Sequence, residues 1–131
     1  SGNDSIREPL ALDVAGGDWP DEQFDAVYSA NTSHIMSWQQ VLSMFAGIET
    51  VLADGGLFCL YGPFNVHGQF TAPSNEEFDR GLRARDPLMG LRDLADLESL
   101  AVRHQMKLET RISMTTNNFL LIFRAGESRA D

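Results

Sequence analysis

The segment Leu57–Tyr61 reads Leu-Phe-Cys-Leu-Tyr and is apolar at every position. A strand with two apolar faces belongs in the middle of a sheet covered on both sides, which is the setting of strands in parallel α/β sheets. Upstream of it, Trp38, Val41, Leu42, Phe45, Ile48 and Leu52 recur at three- and four-residue steps, one face of a helix. Ser37 is placed to cap that helix. Asp54-Gly55-Gly56 is placed to stop it, because glycine takes the left-handed conformation that ends helices. A helix feeding a central strand needs a strand before it. Phe24–Ala30 (Phe-Asp-Ala-Val-Tyr-Ser-Ala), bounded by polar residues, supplies one.

The remaining elements follow from punctuation. Pro9–Val14 is a short apolar stretch ending in an acid and is read as a first strand, followed by turn-rich Ala15–Gln23. Gly62–Pro73 is read as a long loop. Ser74-Asn75-Glu76-Glu77 has capping-box spacing and opens a helix to about Arg85, which Asp86-Pro87 breaks. Asp93 caps a further helix with Leu94, Leu97, Leu100 and Ala101 on one face. Lys107–Met114 and Phe119–Ala125 form a hairpin across Thr115-Thr116-Asn117-Asn118, where asparagine tolerates positive φ. The expected fold class is α/β, a mostly parallel sheet with a C-terminal antiparallel hairpin and helices on both faces.

At 131 residues, the sequence is expected to make one domain over 1–131, with 127–131 a frayed tail. Lys plus Arg number 10 and Asp plus Glu 19, a net charge of −9. A chain this acidic repels polyanions, so no nucleic acid and no anionic membrane surface is expected as a partner. The apolar run Phe119–Phe123 is far short of a membrane span. A single cysteine, Cys59, excludes an internal disulfide framework and a multi-thiolate zinc site, and an inert core thiol is its reading. His34, His67 and His104 are too far apart in sequence to read as a metal set, so no metal is expected. The sequence opens Ser1-Gly2, read as a cloning scar or processed end. With no secretory signal visible, a cytoplasmic location is expected.

Several motifs resemble class I methyltransferases, which use S-adenosylmethionine. That fold has seven strands in the order 3-2-1-4-5-7-6, the seventh antiparallel. Leu12-Asp13-Val14 resembles the end of their third strand. Trp19-Pro20 and Phe24-Asp25-Ala26-Val27 resemble the turn into an FD-x-V fourth strand, and Leu52-Ala53-Asp54-Gly55-Gly56-Leu57 the approach to the fifth. A closer resemblance, to a bacterial methyltransferase-like family of unknown function, is carried by Asn31–Ile35, Tyr61-Gly62-Pro63-Phe64, Thr71–Asn75, Arg83–Pro87 and Asn117-Asn118. The resemblance implies strands three to seven of the fold. The first two strands are expected to be missing, and with them the glycine-rich loop that lets the backbone approach the cofactor. The chain is therefore read as truncated, with cofactor binding weak or absent. Without strand one, Phe24–Ala30 would be an open edge. The Leu10–Val14 segment, a second copy or a separate chain could fill it. A homodimer through that edge is the expectation.

Candidate site residues follow from the resemblance and from the rule that open α/β sheets bind ligands at the carboxyl ends of their strands. Asp13 and Asn31 are the cofactor-side candidates, Asp13 as acceptor for the adenine amine, with a turn-stabilising acid as its alternative. His34 and Tyr61 are the catalytic candidates, His34 as a base and Tyr61 through its hydroxyl; packing roles are the alternatives. Gly62, Pro63, Phe64, Asn75 and Arg85 are substrate-side candidates for a small molecule. Arg83, Arg85 and Arg92 could meet an acidic substrate, or could instead form surface ion pairs with Asp79, Asp86, Asp93 and Asp96. The functional expectation is a methyltransferase-like protein without turnover of its own. The alternatives are an active enzyme completed by a partner or a longer chain, and an unrelated acidic α/β binding domain.

Overall fold

The computed structural model describes residues 22–126, so Leu10–Val14, Asp13 and the 127–131 tail lie outside the described residues. Among the described residues, four strands and three α-helices follow in order: β1 (Phe24–Ala30), α1 (Trp38–Val51), β2 (Leu52–Gly62), α2 (Pro73–Arg85), α3 (Leu94–Arg103), β3 (Met106–Met114) and β4 (Asn118–Ala125). The sheet order is β1-β2-β4-β3. β1 and β2 are parallel, and β4 runs antiparallel to both β2 and β3. This is the order 4-5-7-6 of the class I fold. The expectation of a mostly parallel sheet is corrected: among the described residues one strand pair is parallel and two are antiparallel. The hairpin inserts its second strand next to β2, so the antiparallel strand lies inside the described sheet.

Helix α1 starts as the sequence reads. Ser37 accepts from the Gln40 amide while Gln40 returns a bond to the Ser37 amide, a complete capping box. Its inner face is Val41, Met44, Phe45, Ile48 and Val51. Phe45 meets Phe58 and Phe123 edge-on at 5.4 and 5.7 Å. Helix α3 adds Leu97, Leu100 and Ala101 to the same core, and Asp93 caps it through the Ala95 amide.

Two boundaries differ from expectation. Gly55 and Gly56 do not stop α1, which ends at Val51, with Leu52 already extended. They lie inside β2, in a bulge: Phe24 pairs with Leu52 and Ala26 with Leu57, two steps on β1 against five on β2. Gly55 supplies φ +73° there. Gly56 is needed for closeness, because a Cβ would lie 2.8 Å from the Ala53 carbonyl oxygen and 3.1 Å from that of Asp25. At α2 the N-cap is Ala72, without a side-chain bond, and Pro73 occupies the first turn. Proline's fixed φ opens the helix, while the Ser74 hydroxyl faces the Asn117 amide at 3.4 Å.

The turn between β3 and β4 places Thr116 and Asn117 at φ 66° and 64°. Cys59 is half-buried and burial pushes its thiol pKa up, which suits the inert reading. Among the described residues no helix is long and apolar enough to cross a membrane.

Candidate functional site

The carboxyl ends of the parallel strands β1 and β2 lie side by side, tied by the Asn31 amide donating to the Tyr61 carbonyl at 2.8 Å. The chain leaves β1 through Asn31, whose φ of 56° suits asparagine, and closes a 3₁₀ turn over Ser33–Ile35. That turn buries His34 to 4% exposure. Across from it stands Gly62. A Cβ built there would lie 3.7 Å from Asn31 Oδ1, 3.8 Å from His34 Nδ1 and 3.6 Å from the Phe64 ring. Four predicted residues, Asn31, His34, Gly62 and Phe64, therefore converge on one spot. Pro63 is buried between them in sequence, on the same connection out of β2.

His34 Nδ1 is buried with no hydrogen-bond partner, a state that costs about 1–3 kcal/mol. Burial first, and the Arg92 guanidinium second, hold the His34 pKa below 6.5, so the ring is neutral at pH 7. Phe78, 44% exposed, meets the imidazole edge-on at 5.3 Å.

Tyr61 is half-buried, and its hydroxyl accepts from Asn118 Nδ2 at 3.0 Å. Asn75 is buried in the first turn of α2 and donates to Thr71 Oγ1 and to the Asn117 carbonyl. Asn117 and Asn118, read from sequence as hairpin residues, thus also bind the β2 end and the start of α2. A depression of about 320 Å³, lined by Phe70, Thr71, Ala72, Pro73 and Glu76, adjoins Asn75 in sequence. A second, of about 340 Å³ between α3 and β3, shares no residue with this cluster.

Arg85 is not brought to the cluster by a contact. It is exposed in the last turn of α2, about 15 Å along the axis from Asn75. The surface ion-pair alternative holds for Arg83, which bonds Asp79 at 2.9 Å. It does not hold for Arg92, which donates to the carbonyls of Ser33, Met36 and Leu88 and lies over the Trp38 ring. Gly90 was not singled out from sequence, Asp79 was read only as an ion-pair partner, and Arg92 was read as a substrate contact or ion-pair former, not as a donor to main-chain carbonyls.

The fold is shared with solved methyltransferases. The chain superposes on the mitomycin 7-O-methyltransferase MmcR with TM-score 0.73 at 14% identity, covering 89% of this chain and 33% of that one. An O-methyltransferase family protein from Burkholderia thailandensis gives 0.72 at 12%, covering 90% and 34%. CalO1, a methyltransferase in calicheamicin biosynthesis solved in its SAH-bound form, gives 0.71 at 14%, covering 89% and 34%. The chain spans about a third of the length of these structures, and what it shares with them is the class I fold. Residues 1–125 match the model of the family described as "Protein of unknown function (DUF938)", and the chain belongs to that family.

Proposed function

We propose that this methyltransferase-like chain forms the acceptor-facing end of a class I site and that its 131 residues alone do not turn over. In this reading His34 and Tyr61 face a small-molecule acceptor, Asn31 borders the cofactor side, and Gly62, Pro63, Phe64 and Asn75 shape the wall. His34, neutral, is the group suited to take a proton from an acceptor hydroxyl. The single observation that carries the reading is the meeting of Asn31 Oδ1 and His34 Nδ1 at Gly62, between the ends of two parallel strands.

The described residues do not fit S-adenosylmethionine itself. Residues 31–37 and 61–72, which follow the two strands, include no Asp or Glu to hold ribose hydroxyls. The sequence has no Gly-x-Gly through which a backbone could approach the cofactor. Calorimetric titration with S-adenosylmethionine and S-adenosylhomocysteine tests this. No heat at millimolar ligand is expected. Saturable micromolar binding would refute the reading and favour a cofactor site complete within these residues.

A further inference from the structure

We infer that Arg92 is a positioning residue: its guanidinium clamps the main chain of Ser33–Met36 and so fixes the imidazole of His34. The clamp itself is read from geometry. Its meaning for chemistry rests on the acceptor-site reading of His34. The turn Ser33–Ile35 is too short to satisfy its own carbonyls, and Ser33 and His34 within it are buried, at 2% and 4% exposure. Buried carbonyls need donors. The segment Leu88–Arg92 supplies them from more than fifty residues away. Arg92 Nε donates to the Ser33 carbonyl at 3.3 Å, the Gly90 amide to the His34 carbonyl at 3.0 Å, and an Arg92 terminal nitrogen to the Met36 carbonyl. The same nitrogen holds its own segment through the Leu88 carbonyl at 2.9 Å. Three of the four carbonyls from Ser33 to Met36 are thereby tied to one strap.

The guanidinium is itself held. It lies 5.7 Å from the centre of the Trp38 ring, at the first residue of α1. The strap is anchored below by Asp79, whose carboxylate accepts from the Leu91 amide at 2.8 Å and from Arg83 at 2.9 Å. Gly90 adopts φ +152°, a conformation that strains any residue with a Cβ, so glycine suits this point of the strap. A lysine at 92 would keep the charge but lack the planar fork that reaches two carbonyls in different directions.

The groups that act on His34 can be named element by element. β2 presents Gly62, which has no side chain. α2 presents the Phe78 ring. The strap presents Arg92, whose positive charge opposes protonation of the ring. The turn itself carries no other titratable group.

Two variants separate charge from clamp. In 15N-histidine spectra, assigned with His34→Gln, the His34 midpoint is expected to rise in Arg92→Gln and to stay low in Arg92→Lys. Hydrogen exchange of the Ile35 and Gly90 amides is expected to accelerate about tenfold or more in both variants, since each loses the fork. Exchange in β2 and β4 monitors the global fold. If Arg92→Gln does not fold, Arg92→Lys alone decides: wild-type exchange at Ile35 and Gly90 overturns the clamp. Wild-type exchange at both amides in folded Arg92→Gln overturns it as well. Methyl transfer is not read in this experiment. Cofactor binding seen by calorimetry would sink the functional reading and leave the clamp standing, whereas an unchanged turn would sink the clamp alone.

Discussion

Asp79 should be worth more to this fold than its ion pair, and the structure says by how much. The residue is 7% exposed on α2. One carboxylate oxygen accepts from Arg83, whose side chain is 52% exposed. The other accepts from the amide of Leu91, a residue only 4% exposed. An ion pair with one partner half in water contributes about 0.2–1 kcal/mol. A buried amide stripped of its acceptor costs about 1–3 kcal/mol. Asp79→Ala removes both, so a loss of about 1–4 kcal/mol is expected. Arg83→Ala removes only the first, and a loss below about 1 kcal/mol is expected. Asp79→Asn keeps an oxygen for Leu91 and should fall between them.

Urea unfolding followed by circular dichroism measures these values as midpoint shifts at constant slope. The ordering is the test. If Arg83→Ala costs as much as Asp79→Ala, the exposed charge pair anchors the strap and the main-chain bond does not. If Asp79→Ala costs less than about 1 kcal/mol, the Leu91 amide finds another acceptor and the anchor argument fails. A double-mutant cycle adds a further check, because the Asp79–Arg83 coupling should itself stay below about 1 kcal/mol.

Two further outcomes follow from the same structure. His34 has a folded pKa below 6.5, from burial and then Arg92. Between that value and 6.5 the unfolded chain binds a proton that the folded chain lacks. Stability contributed by the neutral ring is therefore complete above 6.5 and is lost on acidification, by at most about 1.4 kcal/mol per pH unit. His34→Gln should remove that component of the slope in urea titrations at a series of pH values, and an identical slope in the variant would contradict the assignment. For the glycines, Gly56→Ala should destabilise by about 1–3 kcal/mol, because its Cβ meets two backbone oxygens in the β2 bulge. Gly81→Ala, in open space on α2, should stabilise by about 0.4–1 kcal/mol. In thermal unfolding, a Gly56→Ala variant as stable as the wild type would show the bulge geometry to be wrong.

The features legible in the sequence were those whose signal is local. Phe24–Ala30 shows its apolar and polar bounds within seven residues, and the structure gives the same span. Ser37 and Asp93 announce their helices because an N-cap bonds an amide two or three residues on. The asparagines of the hairpin advertise positive φ in the same way. Gly55-Gly56 misled for a physical reason: a left-handed glycine ends a helix and builds a bulge with the same backbone angles, and only the position of β1 decides between them. Pro73 and Ser74 competed to open α2, and proline's fixed φ prevailed over a side-chain bond.

The candidate site was legible only in part, because its support is not local. Asn31, His34 and Gly62 were singled out by the family resemblance together with the rule that ligands gather at strand ends, which needs only the order of elements. What holds His34 in place is separated from it by 56 to 59 residues, and no spacing rule links Ser33 or Met36 to Arg92. Charge arithmetic pointed the other way, since Arg92 sits among aspartates in sequence yet spends its donors on carbonyls. The distinction has a physical root. An arginine on an exposed helix pairs with whatever carboxylate is near and gains little. An arginine brought over a buried, non-helical turn meets carbonyls that nothing else can satisfy, and each bond there relieves a desolvated acceptor. Burial of the turn, which only the folded chain reveals, thus decides which role the same side chain takes.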